Sequence, residues 1–386
     1  MIDLTAVREK IPVLEKCSYL NMSYGPKPTP VVDEVVRLAR LTEMEGTLNP
    51  DVLAELWKRY DVARAGTAEL LGADTSEISM TRHVTEGMNI VATGMDWQPG
   101  DEVIISDEEH PGGSLPWMNL ARRRGVVVRL LHLSYDLDEL KGRLEALIGP
   151  STRIVSLSHV STKSGFLLPA AEVTSFVHSK GVPIVLDGAH AAGLVQVDVK
   201  AIGCDFYSGC GHKWLMAPQG TGFLYVAKER LDDLQITWLG AATATIWDLP
   251  NLTFEARTDA DKFEYGTRDL TVYGGLAVAL EIAQESGIEH IAARSSELAD
   301  RMKRRVTDIP GVELMTPMDP ALSTGVVAIS VDTHGDANPT DWLWSEHRIV
   351  TTGKDDWMRL SFPYFTLEEE VDRLADLLTS RLAGPA

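Results

Sequence analysis

The 386-residue chain has few cysteines, little basic charge and no long apolar run. Its three cysteines, Cys17, Cys204 and Cys210, form no CxxC pair and no even set. That excludes a disulfide framework and a zinc ribbon, and no metal site is expected. Lys and Arg number 36 against 56 Asp and Glu, a formal net charge of −20. So acidic a chain repels phosphate backbones and anionic lipid surfaces, so neither nucleic acid nor a membrane is an expected partner. No window approaches the ~18 uncharged apolar residues of a membrane span. The opening stretch MIDLTAVREKIPVLEK carries charges where a secretion signal needs an apolar core. A cytoplasmic location is therefore expected.

The remaining composition is ordinary for a globular protein, 44 % apolar and 24 % charged, and the length suits two or three compact units. The middle of the chain alternates short apolar runs with amphipathic segments. Strands are expected at Glu102–Ser106, Val126–Leu131, Arg153–Leu157 and Pro183–Leu186, and helices at Gly113–Arg124, Leu137–Ile148 and Ala170–Lys180. Strands of this kind, buried on both faces between helices, signal a mostly parallel sheet in an α/β domain. Further on, helical segments at Ala292–Thr307 and Thr366–Arg381 surround strands at Val326–Val331 and Trp357–Phe362. The expected architecture is a large α/β domain over residues 20–287 and a small α+β domain made of 1–19 and 288–386.

Two features suggest chemistry. In PIVLDGAH (Pro183–His190) an apolar strand ends in Asp187, and ligands of parallel sheets bind beyond the carboxyl ends of strands. A helix-capping aspartate is an equally good reading of that residue alone. In SGCGHKWLMAPQGTGFLYV (Ser208–Val226), Lys213 sits in a Gly-rich, aromatic and otherwise apolar stretch. Lysine there is costly unless paired, neutral or covalently bound, the setting of Schiff-base lysines. His212 and Ser208, among several glycines, suit an anion-binding turn. A lysine for an imine, an acid for a pyridinium nitrogen and donors for a phosphate are the requirements of pyridoxal 5'-phosphate (PLP).

With DGAHAAG and GHKW in this order and spacing, the chain resembles fold-type I PLP enzymes of the class V aminotransferase superfamily, from Tyr19 to about Arg381. GTRD (Gly266–Asp269) and HKWL resemble the isopenicillin N epimerase branch, which is related to cysteine desulfurases. The resemblance implies that Lys213 forms the cofactor imine and moves the Cα proton. Asp187 then keeps the pyridine nitrogen protonated, and His190 sits near the phenolic oxygen. Val84 and Thr85, in MTRHVTEGMNI, bind the phosphate at a helix N-terminus, while Glu86 serves the helix dipole. His110 of SDEEHPGGSLPW stacks on the ring. Thr162, or its neighbour Ser161, meets the phenolic oxygen, and Lys163 has no counterpart. Thr267 reaches the phosphate held by the other subunit, which implies a homodimer. Arg359 clamps the substrate carboxylate. Alternation along WMRLSF supports that role, with Met358, Leu360 and Phe362 inward and Arg359 on the polar face. Asn21, Met22, Ser23 and Tyr24 line the substrate pocket.

The cofactor leaves the reaction open. Persulfide-forming desulfuration is rejected, because EHRIVTTGKDDWMR (Glu346–Arg359) has no cysteine before the clamping arginine. The first expectation is an enzyme acting at Cα through an external aldimine, by C–S β-elimination on a cysteine S-conjugate, which needs one base. Epimerisation follows, with His110, Tyr24 or Tyr364 on the second face. Decarboxylation-coupled oxidative deamination in natural-product biosynthesis comes third and transamination fourth. The anionic ligands require a local positive pocket of His212, Lys213, Arg359 and helix N-termini inside the acidic exterior.

Overall fold

The computed structural model describes residues 3–333 and 337–382; the outermost residues of the expected small domain lie outside them. Its largest sheet has seven strands: β1 (Ile78–Thr81), β2 (Glu102–Ser106), β3 (Val127–Leu131), β4 (Thr152–Ser158), β5 (Ile184–Asp187), β6 (Phe206–Cys210) and β7 (Gly222–Val226). Their order is β1-β7-β6-β5-β4-β2-β3. Strands β2 to β6 pair in parallel, and β7 runs antiparallel to both neighbours. This is an α/β fold with a mostly parallel mixed sheet, as the apolar runs imply.

Alternate residues divide between two cores. Ile104, Val155, Leu157, Ile184, Leu186, Tyr207, Phe223 and Tyr225 enter one cluster. Val103, Ile105, Ile154, Val185, Phe206, Leu224 and Val226 enter the other. Both faces of the inner strands are thus withdrawn from water, worth about 1.5–3 kcal/mol per large apolar side chain, while the edge strand β3 is largely exposed. Helices α1 (Thr29–Glu45), α2 (Pro50–Leu71), α3 (Val84–Gly94), α4 (Pro111–Arg124), α5 (Leu137–Leu147), α6 (Ala170–Ser179) and α7 (Thr271–Ser286) accompany the sheet. Helix α4 begins two residues before its expected start, because Pro111 takes the first helical position behind a His110 cap.

A second sheet contains β8 (Val312–Leu314), β9 (Val326–Val331), β10 (Thr352–Lys354) and β11 (Trp357–Ser361), in the order β8-β9-β11-β10 and all antiparallel. Helices α8 (Ile288–Val306) and α9 (Glu368–Leu382) cover it. Met358, Leu360 and Phe362 lie in its apolar core, so Arg359 is left to the opposite face. The N-terminal segment touches both units. Ile11 joins a large-sheet core, whereas Ser18–Tyr19 pairs in parallel with Ile349–Val350 and Leu20 joins the small core. Among the described residues no helix is long and apolar enough to cross a membrane.

Candidate active site

A cavity of about 390 Å³ opens where the carboxyl ends of β1, β2, β4, β5 and β6 meet the polar face of β11. Each strand delivers its residue through the turn that follows it. After β1 comes α3, whose first residues Val84 and Thr85 line the cavity. Its cap is His83, whose Nδ1 accepts the Glu86 N–H at 3.2 Å. Helix N-termini attract anions through unpaired N–H groups and the helix dipole.

After β2 comes His110, lining the cavity while its Nδ1 accepts the Gly112 N–H at 2.9 Å. Burial, then the Lys213 charge, pushes its pKa down against the opposing pull of Asp187. Asp187 ends β5 beneath the cavity, and its Oδ1 accepts the Ala189 N–H at 2.9 Å. Burial pushes its carboxyl up, and the Lys213 charge works against that shift. Gly113 makes room here: a Cβ on it would stand 3.3 Å from both Asp187 Oδ2 and Glu109 Oε2. His190 is buried, with Nδ1 accepting the Trp214 indole N–H at 3.3 Å and Nε2 3.5 Å from Arg359 Nη1. Burial first, then the Lys213 and Arg359 charges, holds it well below the usual imidazole range.

Lys213 follows β6 and lines the same cavity. Burial pushes its ammonium down, with Cys210 and Asp187 opposing, which favours the neutral nucleophilic amine. Its carbonyl accepts the Met216 N–H, and a Cβ on Gly25 would fall 2.3 Å from that oxygen, so only glycine lets the N-terminal segment pass. His212, held to about 4 by burial and then by Lys213, also lines the cavity and packs against Tyr24 with ring centroids 5.4 Å apart.

Arg359 completes the site. Its Nη1 donates to the carbonyl of Thr162 at 3.1 Å and to the Thr162 hydroxyl, and its Nη2 donates to the Ser23 hydroxyl. Its Nε is buried with no partner. The residue is 5 % exposed, and burial lowers its pKa to about 10. A buried guanidinium with neutral partners and an orphaned N–H is arranged for an incoming carboxylate.

Four expected residues, Ser208, Asn21, Thr267 and Tyr364, are not among the lining, whereas Thr162 is. The Ser208 hydroxyl is fully buried in β6, directed at the carbonyls of Val84 and Phe223, so it supports α3 from behind and does not line the cavity. Asn21 holds Thr351 O and the Ser23 N–H, which makes it a support for Ser23 and not a lining residue. The Thr162 hydroxyl oxygen accepts from Arg359, which leaves its O–H to donate into the cavity. Thr267 lies in a separate cavity of about 1080 Å³ with Trp57, Tyr60 and Glu264. Tyr364 is buried and absent from the lining. Sequence reasoning missed His83, Arg82 and Gln219 among the lining residues, and Glu109 beneath them. The spacing of His83 to Glu86, a polar cap with an acid three residues on, is the signal that would have found the first.

The parts suit a class of enzyme whose phosphate-bearing carbonyl cofactor would be held on a lysine, over an acid. PLP fits these residues: the α3 N-terminus would take its phosphate, Lys213 its aldehyde and Asp187 its ring nitrogen. The Aminotransferase class-V family model matches residues 24–374, and the chain belongs to that family. It is 35 % identical over 378 residues to isopenicillin N epimerase of Streptomyces clavuligerus, covering 92 % of each chain. It is 30 % identical over 328 residues to a probable cysteine desulfurase of Methanothermobacter thermautotrophicus, covering 84 % of this chain and 81 % of that one. Among solved structures, the cystine C–S lyase C-DES in complex with its product cysteine persulfide superposes with a TM-score of 0.89 at 27 % identity, covering 96 % of this chain and 99 % of that one. A variant of that lyase with glycine covalently linked to its PLP cofactor matches with the same TM-score at 26 % identity, covering 96 % and 98 %. The protein is a fold-type I, PLP-dependent enzyme.

Proposed function

We propose that the protein is a PLP-dependent lyase that cleaves the Cβ–S bond of a cysteine S-conjugate, with Lys213 as its single base. One observation carries this reading. His83, His110 and His190 each use Nδ1 to accept an N–H that can only donate, from Glu86, Gly112 and Trp214. An imidazole in such a contact carries its proton on Nε2, so His83 and His110 offer a donor there, while His190 has both nitrogens engaged, by Trp214 and Arg359. None of these three has a free lone pair with which to take a proton from Cα, and His212, the fourth ring at the cavity, is packed against Tyr24. Epimerisation needs an acceptor on each face in turn, whereas β-elimination needs only one.

PLP, when bound, draws electron density from Cα and so lowers the cost of breaking a bond there. Arg359 fixes the substrate carboxylate and thereby the rotation about the bond to the amino nitrogen. Lys213 takes the Cα proton, and the His110 Nε2–H, at the same cavity, is the donor for the departing sulfur. One water enters, and the products are a thiol, pyruvate and ammonia. Cys17, Cys204 and Cys210 are all buried and burial raises each thiol, so the chain supplies no nucleophile for persulfide transfer.

Epimerisation is the second reading, favoured by the 35 % identity to isopenicillin N epimerase along most of both chains. We also infer a homodimer in which Thr267 serves the partner's cofactor. Two features support it: Thr267 faces a cavity apart from Lys213, and the nearby Trp247, Leu249, Leu252 and Phe254 are all exposed. Incubating the enzyme with S-alkyl cysteines in D2O tests the reaction. Thiol and pyruvate without inversion of Cα support the lyase. Inversion without thiol replaces it with the epimerase, and CO2 release with O2 uptake overturns both.

A further inference from the structure

The motif SDEEHPGG contributes His110 to the site and leaves its two glutamates without a role. Glu109 bonds backward, its Oε1 accepting from Ser106 Oγ at 2.6 Å and from the Ser158 N–H at 2.9 Å. Glu108 reaches the turn after β4. Its Oε2 accepts from the hydroxyls of both Ser161 and Ser164, and its Oε1 from Tyr135 at 3.4 Å. Those two serines close the turn. Ser161 Oγ accepts the N–H groups of Lys163 and Ser164 at 3.1 Å each, and Ser164 Oγ accepts that of Phe166 at 3.2 Å. At the tip stand Thr162 and Lys163. The polar face of β11 grips both, Arg359 at Thr162 and the Trp357 indole N–H at the Lys163 carbonyl, 2.9 Å away. Lys163 thus acts through its backbone, and its side chain is exposed.

We propose that Glu108 is a positioning residue for the Arg359 guanidinium. It is joined to Arg359 through the Ser161–Ser164 turn and Thr162. A carboxylate accepting from two hydroxyls holds a turn more firmly than an apolar side chain would. The turn is the anchor from which Nη1 is aimed, so loosening it misplaces the clamp while Lys213, Asp187 and the α3 N-terminus stay in place. The inference rests on the reading of Arg359 as the carboxylate clamp, and the test separates the two.

The test measures affinity of the PLP-loaded enzyme for S-methyl-L-cysteine and for 2-(methylsulfanyl)ethanamine, which lacks the carboxylate, from the absorbance change of the bound cofactor. Misplacing a substrate-orienting group by about 1 Å costs up to ~100-fold, so Glu108→Ala is expected to weaken the amino acid roughly ten- to a hundredfold. That loss should appear more in KM than in kcat, and amine affinity and the resting spectrum should be unchanged. Glu108→Gln keeps an acceptor oxygen and should recover most of the loss. Ser161→Ala with Ser164→Ala should reproduce Glu108→Ala, and combining all three should add nothing; this pair also carries the test if Glu108→Ala does not fold. Equal weakening of amine and amino acid, or no weakening, overturns the proposal. If Arg359→Met discriminates between the two probes and the turn variants do not, only the role of Glu108 is lost. If Arg359→Met does not discriminate, the clamp reading falls and the proposal with it.

Discussion

The half-buried pair Arg64 and Arg268 and the buried Arg359 are built in opposite ways. Arg64 and Arg268 surround Glu264 beside the larger cavity. Arg64 lies 3.0 Å from the carboxylate and Arg268 3.6 Å from it. Tyr60 donates to Glu264 at 2.5 Å, the Met80 N–H donates to it at 2.7 Å, and Arg268 also donates to Tyr60 Oη and to the Met80 carbonyl. Burial pulls both guanidinium pKa values down, but the surrounding anionic groups outweigh it and both are raised. Arg359 has no carboxylate partner among the described residues, and burial alone lowers it to about 10. A structural cation in the interior comes with its counter-charge. A binding cation is left without one, and the substrate supplies it.

The largest effect expected from breaking this contrast is at Glu264. Glu264→Ala leaves two guanidinium groups, the Tyr60 hydroxyl and the Met80 N–H without their common acceptor. Removing one member of a buried ionic network costs about 3–5 kcal/mol. The midpoint of urea denaturation should fall accordingly, and Glu264→Gln, which still accepts from Met80, should fall less. An unchanged midpoint would mean that water already satisfies the cluster.

Arg359 should behave the other way. Arg359→Met preserves much of the side-chain volume and removes a buried charge that has only neutral partners. Amino-acid affinity should drop by about 2–3 kcal/mol, roughly 30- to 150-fold. The denaturation midpoint should hold or rise, since an uncompensated buried charge is a stability cost. A marked loss of stability would show that Arg359 is mainly a strut between β11 and the Thr162 turn.

The division between the two regions was only half readable from the chain itself. Alternation in WMRLSF sends Met358, Leu360 and Phe362 into the small core and so puts Arg359 on the other face. The runs at Glu102–Ser106 and Val326–Val331 are strands with those same limits because burial on both faces leaves little ambiguity of period. Ser208 misled because a hydroxyl near the lysine looks like an anion ligand, while its place inside a strand turns it toward α3. The serine bonds of Glu108 bridge about fifty residues of sequence, and no local pattern encodes such a contact. Thr267 lines a cavity other than that of Lys213, and only the resemblance, with no local pattern, gave it a role across to a second chain.

The smallest effect sharpens the same contrast from the acidic side. Glu109 is a buried carboxyl with only hydroxyl and N–H donors, Ser106 and Ser158, and with Asp187 close by. Burial, opposed by the two serines and aided by Asp187, raises it to about 7. Like Arg359, it lacks a counter-charge, and burial disfavours its charged form. Between its ordinary value of 4.5 and about 7 the folded protein holds a proton that the unfolded chain has released. The stabilisation is therefore complete below pH 4.5 and is lost as pH rises toward 7, at no more than about 1.4 kcal/mol per pH unit. Glu109→Gln cannot titrate, so its melting temperature relative to wild type should climb across that window and level off above it. A difference that stays flat from pH 4.5 to 7 would mean that Glu109 keeps its charge when folded, and that a cation near the cavity floor compensates it after all.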